Sequence, residues 1–113
     1  MKPQQFEVWL ADLNPRSGTE PGKKRPVVIL QTDLLNTSHP STIVCPITTN
    51  VKLGATILRV HLLSGEAGVN VASDIMIDQI RAIDNRRFIH KIGDLSSIKI
   101  SHVVSNIKML LDL

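Results

Sequence analysis

The chain has 113 residues, the size of one domain at roughly 100–200 residues each, and it is expected to form a single domain over 1–113. Apolar residues make up 42% and charged residues 20%, which excludes a disordered chain, and no apolar run reaches the length of a membrane span. Thirteen Lys and Arg against ten Asp and Glu give +3, a mild excess that permits a polyanion partner without requiring one.

Residues 7–13 open the pattern as a strand, with Phe6, Val8, Leu10 and Leu13 framing it around Trp9. Residues 14–24 contain two Pro and two Gly and form a long loop, a place where function concentrates. Residues 26–30 are rich in β-branched side chains and predict a buried strand that begins on Pro26. Asp33 is placed to cap a short helical turn before the His39-Pro40 break. Strands are then expected over 42–48 and over 57–62, the latter with Arg59 and His61 alternating outward. Gly65 and Gly68 mark a turn, and further strands are expected over 73–82 and 87–92. From Ser96 onward the pattern changes. Ile100, Val103, Val104, Ile107, Leu110 and Leu111 follow a helical period, with Ser96 or Ser97 as N-cap. Short strands at this spacing followed by one helix predict a mainly β fold, a small antiparallel barrel or half-barrel with a C-terminal α-helix.

Cys45 is the only cysteine, so the chain has no intrachain disulfide and no thiolate metal cage, and its apolar neighbours predict a buried thiol. The start, Met1-Lys2-Pro3-Gln4-Gln5, lacks an apolar signal region, so a bacterial-type cytosol is the expected location. His39, His61, His90 and His102 lie in four segments without metal-ligand spacing. Gly18 and Gly22 precede a strand rather than a helix, so no helix N-terminus is aimed at a phosphate. No metal or cofactor is expected. What remains is acid–base and electrostatic chemistry by ordinary side chains.

Three stretches could carry it. Lys23-Lys24-Arg25 stands at the mouth of a buried strand, where Arg25 offers a planar fork for phosphate oxygens; the same run also fits a solvated strand end. In Cys45-Pro46-Ile47-Thr48-Thr49-Asn50 an apolar strand ends in hydroxyls, which fits either a phosphate-binding Thr48 or a simple turn. In Ile77-Asp78-Gln79-Ile80-Arg81, Asp78 and Gln79 face a pocket or Asp78 pairs with an Arg. The pattern alone does not choose.

Taken in order, these stretches resemble the MazF/PemK family of toxin endoribonucleases. The resemblance runs from Val8-Trp9-Leu10-Ala11-Asp12-Leu13-Asn14-Pro15 through Gly18-Thr19-Glu20 and Lys24-Arg25-Pro26-Val27-Val28-Ile29-Leu30. It continues through Asn36, Pro46-Ile47-Thr48 and Asp78-Gln79-Ile80-Arg81-Ala82-Ile83-Asp84 to Ile92-Gly93-Asp94-Leu95-Ser96. It covers nearly the whole chain; the ordered set, not any one motif, is specific. It implies an SH3-like barrel of the CcdB/MazF type, a homodimer, and sequence-selective cleavage of single-stranded RNA without metal. The expected products carry 2′,3′-cyclic phosphate and 5′-hydroxyl ends, and an antitoxin with an acidic disordered tail is the expected partner. Arg25 and Thr48 match the family's catalytic Arg and Thr. The Arg that some PemK-type members place two positions before the Asp matching Asp78 is Met76 here, so their acid–base scheme does not carry over whole.

Cleavage must deprotonate a 2′-hydroxyl, stabilise a dianionic phosphorane and protonate a leaving oxygen. Arg25 and Thr48 suit the phosphoryl oxygens; Asp78 is the leading candidate base, ahead of His39. Base recognition falls to residues 14–24 and 35–41, and Thr19, Glu20, Lys23, Lys24, Asn36, Thr49 and Gln79 are the candidate RNA contacts. With Phe6, Trp9 and Phe88 the only aromatics and Trp9 read as core, stacking platforms are few. Two rival readings use the same barrel: a non-catalytic RNA- or protein-binding module, and a CcdB-like gyrase poison.

Overall fold

The computed structural model describes residues 2–13, 23–36 and 38–113. Three strands, β1 (Glu7–Asp12), β2 (Lys24–Ile29) and β3 (Ser41–Thr48), lie side by side and antiparallel, with β7 (Phe88–Asp94) outside β1. The start of β3 pairs with β6 (Arg81–Asp84) and its end with β5 (Ser73–Met76), whose other edge carries β4 (Arg59–Leu62). Helix α1 (Ser97–Leu111) ends the chain. The β-rich, antiparallel fold with one terminal helix is the expected one. Its strand path stays open, running from β4 to β7 without those two pairing.

The alternation of side chains along the central strands builds two cores. Val8, Val28 and Cys45 stand opposite one another across β1, β2 and β3 on one face. Trp9 opposite Val27, and Ile29 opposite Val44, stand on the other. Both faces are covered, which is why residues 26–30 read as an unbroken apolar run. Ile100, Val103 and Ile107 of α1 close the first core. The second contains an edge-to-face pair, Trp9 and Phe88, with ring centres 5.9 Å apart; the Trp9 indole donates to Glu7 Oε1 at 2.9 Å. Trp9 is core, as its pattern suggested.

Three local expectations are revised. The strand expected over 73–82 is broken by a 3-10 turn at Ile77–Gln79, because β5 and β6 pair with different parts of β3. The turn bridges them while keeping Ile77 in the core and Asp78 and Gln79 outside. The strand expected over 57–62 begins only at Arg59, since Leu58 holds a left-handed backbone (φ 61°) with its N–H donated to Asn106 of α1 at 2.6 Å. Asp33 caps no helix; its carboxylate accepts from the Gln5 N–H (2.8 Å) and the Asn36 amide (3.0 Å), tying the first residues to a turn. The terminal helix starts as expected, with Ser96 Oγ accepting from the Lys99 N–H.

One close approach fixes the turn after β4. A Cβ on Gly68 would lie 1.9 Å from the Ile92 carbonyl oxygen, and one on Gly93 would lie 2.2 Å from that of Ala67. Gly68 also has φ +85°. The turn therefore packs backbone to backbone on β7, an approach that only glycine permits on both sides.

Candidate active site

The β2–β3 register pairs Ile29 with Val44, Val28 with Cys45 and Val27 with Pro46. Carried two residues further, the same register sets Arg25 across from Thr48. Both line a groove of about 530 Å³ together with Lys23, Lys24, Pro26, Ile47, Thr49 and Asn50. Arg25 is half-buried and its backbone is held against Ala11 of β1. Its guanidinium makes no hydrogen bond or ion pair with any described residue, so its fork is available to an anion in the groove. Thr48 Oγ1 accepts the Asn50 N–H at 3.1 Å, which leaves the hydroxyl hydrogen to donate outward.

Behind the Thr48 end of β3 lies a fully buried carboxylate, Asp74, which is the β5 residue paired with Thr48. Its Oδ2 accepts from the Lys52 N–H (2.9 Å) and from the Arg59 guanidinium (3.0 Å). Its Oδ1 lies 2.5 Å from His61 Nδ1. Burial pushes the Asp74 carboxyl up, but the Lys52 amide, His61 and Arg59 together outweigh it and hold the group below its ordinary value. The same Arg59 nitrogen donates to the Asn50 carbonyl at 3.0 Å, and His61 Nε2 lies 3.2 Å from the Ala55 carbonyl. Arg59 and His61 do alternate away from the core residues Val60 and Leu62, as expected. They point to Asp74 rather than outward into solvent.

The structure therefore brings Lys23, Lys24, Arg25, Thr48 and Thr49 together and leaves other candidates elsewhere. Asn36 is buried, with its amide donated to the Gln31 carbonyl (2.9 Å) and Asp33, and its oxygen accepting from Gln31 (3.0 Å). Asp78 and Gln79 are exposed on the turn after β5, outside the groove lining. Thr19 and Glu20 lie outside the described residues. His39 is an exposed turn residue against Ser41. Cys45 is fully buried; burial, with the Asp78 charge adding to it, pushes its thiol up to about 12, so it carries no thiolate. Sequence reasoning missed Asn50 as a groove residue and missed the Asp74 cluster. No local pattern pointed to the latter: Asp74 is a single acid in a four-residue strand, and Arg59 and His61 read as outward positions of the strand before it.

A family model described as the PemK-like, MazF-like toxin of type II toxin–antitoxin systems matches residues 4–111. The chain belongs to the PemK/MazF toxin family. Among family relatives, an endoribonuclease MazF of Staphylococcus saprophyticus is 36% identical over 107 residues, covering 95% of this chain and 89% of that one. One from Staphylococcus epidermidis is 36% identical over 97 residues, covering 86% and 81%. In fold, the chain superposes on MazF of Deinococcus radiodurans with a TM-score of 0.82 at 21% identity, over 100% of this chain and 99% of that one. The same organism's MazF in a MazE–MazF crystal gives 0.81 at 21% identity, with the same coverage. The antiparallel sheet and terminal helix are thus the family fold.

Proposed function

We propose that this chain is a sequence-selective endoribonuclease toxin that cleaves single-stranded RNA by attack of a 2′-hydroxyl, without a metal ion. The observation that carries this reading is the Arg25 guanidinium, without a partner among the described residues, set across from the Thr48 hydroxyl in a groove whose rim is Lys23 and Lys24. Such a site is complementary to a phosphodiester. Arg25 presents two parallel N–H donors and Thr48 one O–H donor where charge grows on the phosphoryl oxygens as the phosphorane forms. In this reading the guanidinium stabilises charge and hydrogen-bonds the leaving 5′-oxygen rather than acting as the base, since a guanidinium offers donors and no acceptor.

In this scheme Asp78 takes the 2′-hydroxyl proton. Its carboxylate is exposed outside the groove lining, so this role requires it to come within hydrogen-bond reach of the 2′-hydroxyl beside the phosphate held by Arg25 and Thr48 once RNA is bound. An Asp78→Asn protein cutting at the wild-type rate would remove Asp78 from the mechanism. The 2′-oxygen bonds phosphorus as its proton passes to the base, the bond to the 5′-oxygen breaks as a solvent water gives that oxygen its proton, and the products end in a 2′,3′-cyclic phosphate and a 5′-hydroxyl. Bases would be read by polar contacts from Thr49 and from Thr19 and Glu20 of the segment 14–24.

The partner in this reading is a cognate antitoxin, as in the MazE–MazF crystals of the Deinococcus protein. An acidic disordered tail suits the Lys23–Lys24–Arg25 rim and would block it. The working unit is a homodimer in the cytosol. Leu53, Met109, Leu111 and Leu113 are exposed apolar side chains on the loop after β3 and the end of α1, which a second copy of the chain could cover. A monomer by sedimentation at micromolar concentration would contradict it.

The deciding test is incubation with a long single-stranded RNA in excess EDTA, with product ends mapped and Arg25→Ala protein run in parallel. Discrete cuts with 5′-hydroxyl ends, absent in the variant, establish the activity. Intact RNA from the wild-type protein across varied substrates overturns it.

A further inference from the structure

From the geometry around Asp74 we infer that Arg59 and Asp74 are positioning residues for the Thr48 hydroxyl, an inference that rests on the nuclease reading above. The chain of hydrogen bonds is continuous. The fully buried Asp74 carboxylate takes one Arg59 N–H at 3.0 Å, and the same guanidinium nitrogen donates to the Asn50 carbonyl at 3.0 Å. The Asn50 N–H in turn donates to Thr48 Oγ1 at 3.1 Å. The peptide units of Asn50 are thus held on both sides, through the carbonyl by Arg59 and through the N–H by the hydroxyl that faces the groove. Asp74 adds a second anchor two residues on, accepting the Lys52 N–H at 2.9 Å, and its own backbone pairs with Thr48.

The consequence for Thr48 is specific. A threonine hydroxyl has one hydrogen to give and rotates about its C–O bond. With a lone pair engaged by the Asn50 N–H, the hydrogen is kept from that side and is left to donate into the groove that Arg25 shares. Without Arg59, Asn50 follows the exposed end of β3, and the hydroxyl loses the fixed partner that aims it. Preorganised donors matter in proportion to how little they reorganise as the reaction proceeds, so loosening this one reduces turnover more than binding. His61, 2.5 Å from the other Asp74 oxygen, keeps the carboxylate oriented from the far side.

The test is Arg59→Met, which keeps an unbranched side chain and removes both donors, beside Arg59→Lys, which keeps a cation able to reach the same acceptors. On a defined RNA, Arg59→Met is expected to lower kcat about tenfold or more with KM within about threefold, and Arg59→Lys to recover much of it. Amide hydrogen exchange at Asn50 and Lys52 is measured on the same proteins and should speed up in Arg59→Met alone, while thermal unfolding stays cooperative. A loss confined to KM, or wild-type kcat in Arg59→Met, overturns the inference. If the wild-type protein cuts no RNA, the nuclease reading fails, and hydrogen exchange then decides: unchanged protection at Asn50 and Lys52 in Arg59→Met overturns the clamp as well.

Discussion

Two arginines stand on either side of Asn50, and they are used in opposite ways. Arg25 lines an open groove and meets no described hydrogen-bond acceptor, whereas Arg59, 16% exposed, divides one nitrogen between a buried carboxylate and a backbone carbonyl. A guanidinium satisfied within the fold is part of the architecture. One left unsatisfied at a groove is poised for an anion from outside. The cost falls differently too. Removing Arg25 leaves nothing in the described structure unpaired, but removing Arg59 takes a charged partner from the fully buried Asp74 carboxylate.

The sharpest way to break this contrast is at Asp74. Asp74→Ala should destabilise the fold by about 1.5–3 kcal/mol, because the Lys52 N–H and the Arg59 guanidinium lose a buried, charged acceptor. Chemical denaturation reads this directly, and a loss below about 1 kcal/mol would show that the cluster contributes little. Arg25→Ala is the opposite case. Its unfolding free energy should stay within about 0.5 kcal/mol of wild type, while RNA cleavage falls about 100- to 1000-fold, the range for losing one preorganised charge donor. Equal damage to stability and rate in both variants would erase the distinction.

The distinction was only half legible in the sequence. The strands, the terminal helix and the two-sided burial of residues 26–30 follow from periodicity, which survives because each apolar position has one face to fill. Arg25 and Thr48 were legible as well, since a cation at a strand mouth and a hydroxyl at a strand end keep those positions once the strands pair. The break of the strand expected over 73–82 was not: it arises because β5 and β6 take different stretches of β3, a tertiary demand without local signature. Asn36 misled for a related reason. A loop asparagine looks available for RNA, yet here its amide serves Gln31 and Asp33. Arg59 and His61 look solvated in an alternating strand, because nothing local says that the neighbouring strand carries a buried acid.

The Asp74 carboxyl supplies a prediction in pH. It is held below its ordinary value, so its contribution to stability is present above the unfolded aspartate pKa, about 3.9, and is lost as pH falls through the lower folded value. Wild-type protein should therefore exceed Asp74→Asn in stability at neutral pH, and the gap should narrow below about pH 4. A gap that stays constant down to pH 2.5 would mean that this carboxylate is not the titrating group.

The smallest effect expected concerns the rim lysines, and it separates the two regions without touching either arginine. Removing one cation that neutralises a phosphate of a single-stranded nucleic acid flattens the slope of log K against log salt by about 0.7. Lys23 and Lys24 are exposed at the groove, so Lys23→Ala and Lys24→Ala should each flatten the salt dependence of binding to a cleavage-resistant RNA by about that amount. Lys99 is the control. It is also a lysine close to the Asp74 cluster, but its ammonium donates to the His61 carbonyl at 2.6 Å and lies 3.8 Å from Glu66. Lys99→Ala should leave the slope unchanged. If all three variants flatten it alike, binding follows total positive charge rather than the groove, and the separation between a cation kept for the ligand and one kept for the fold loses its support.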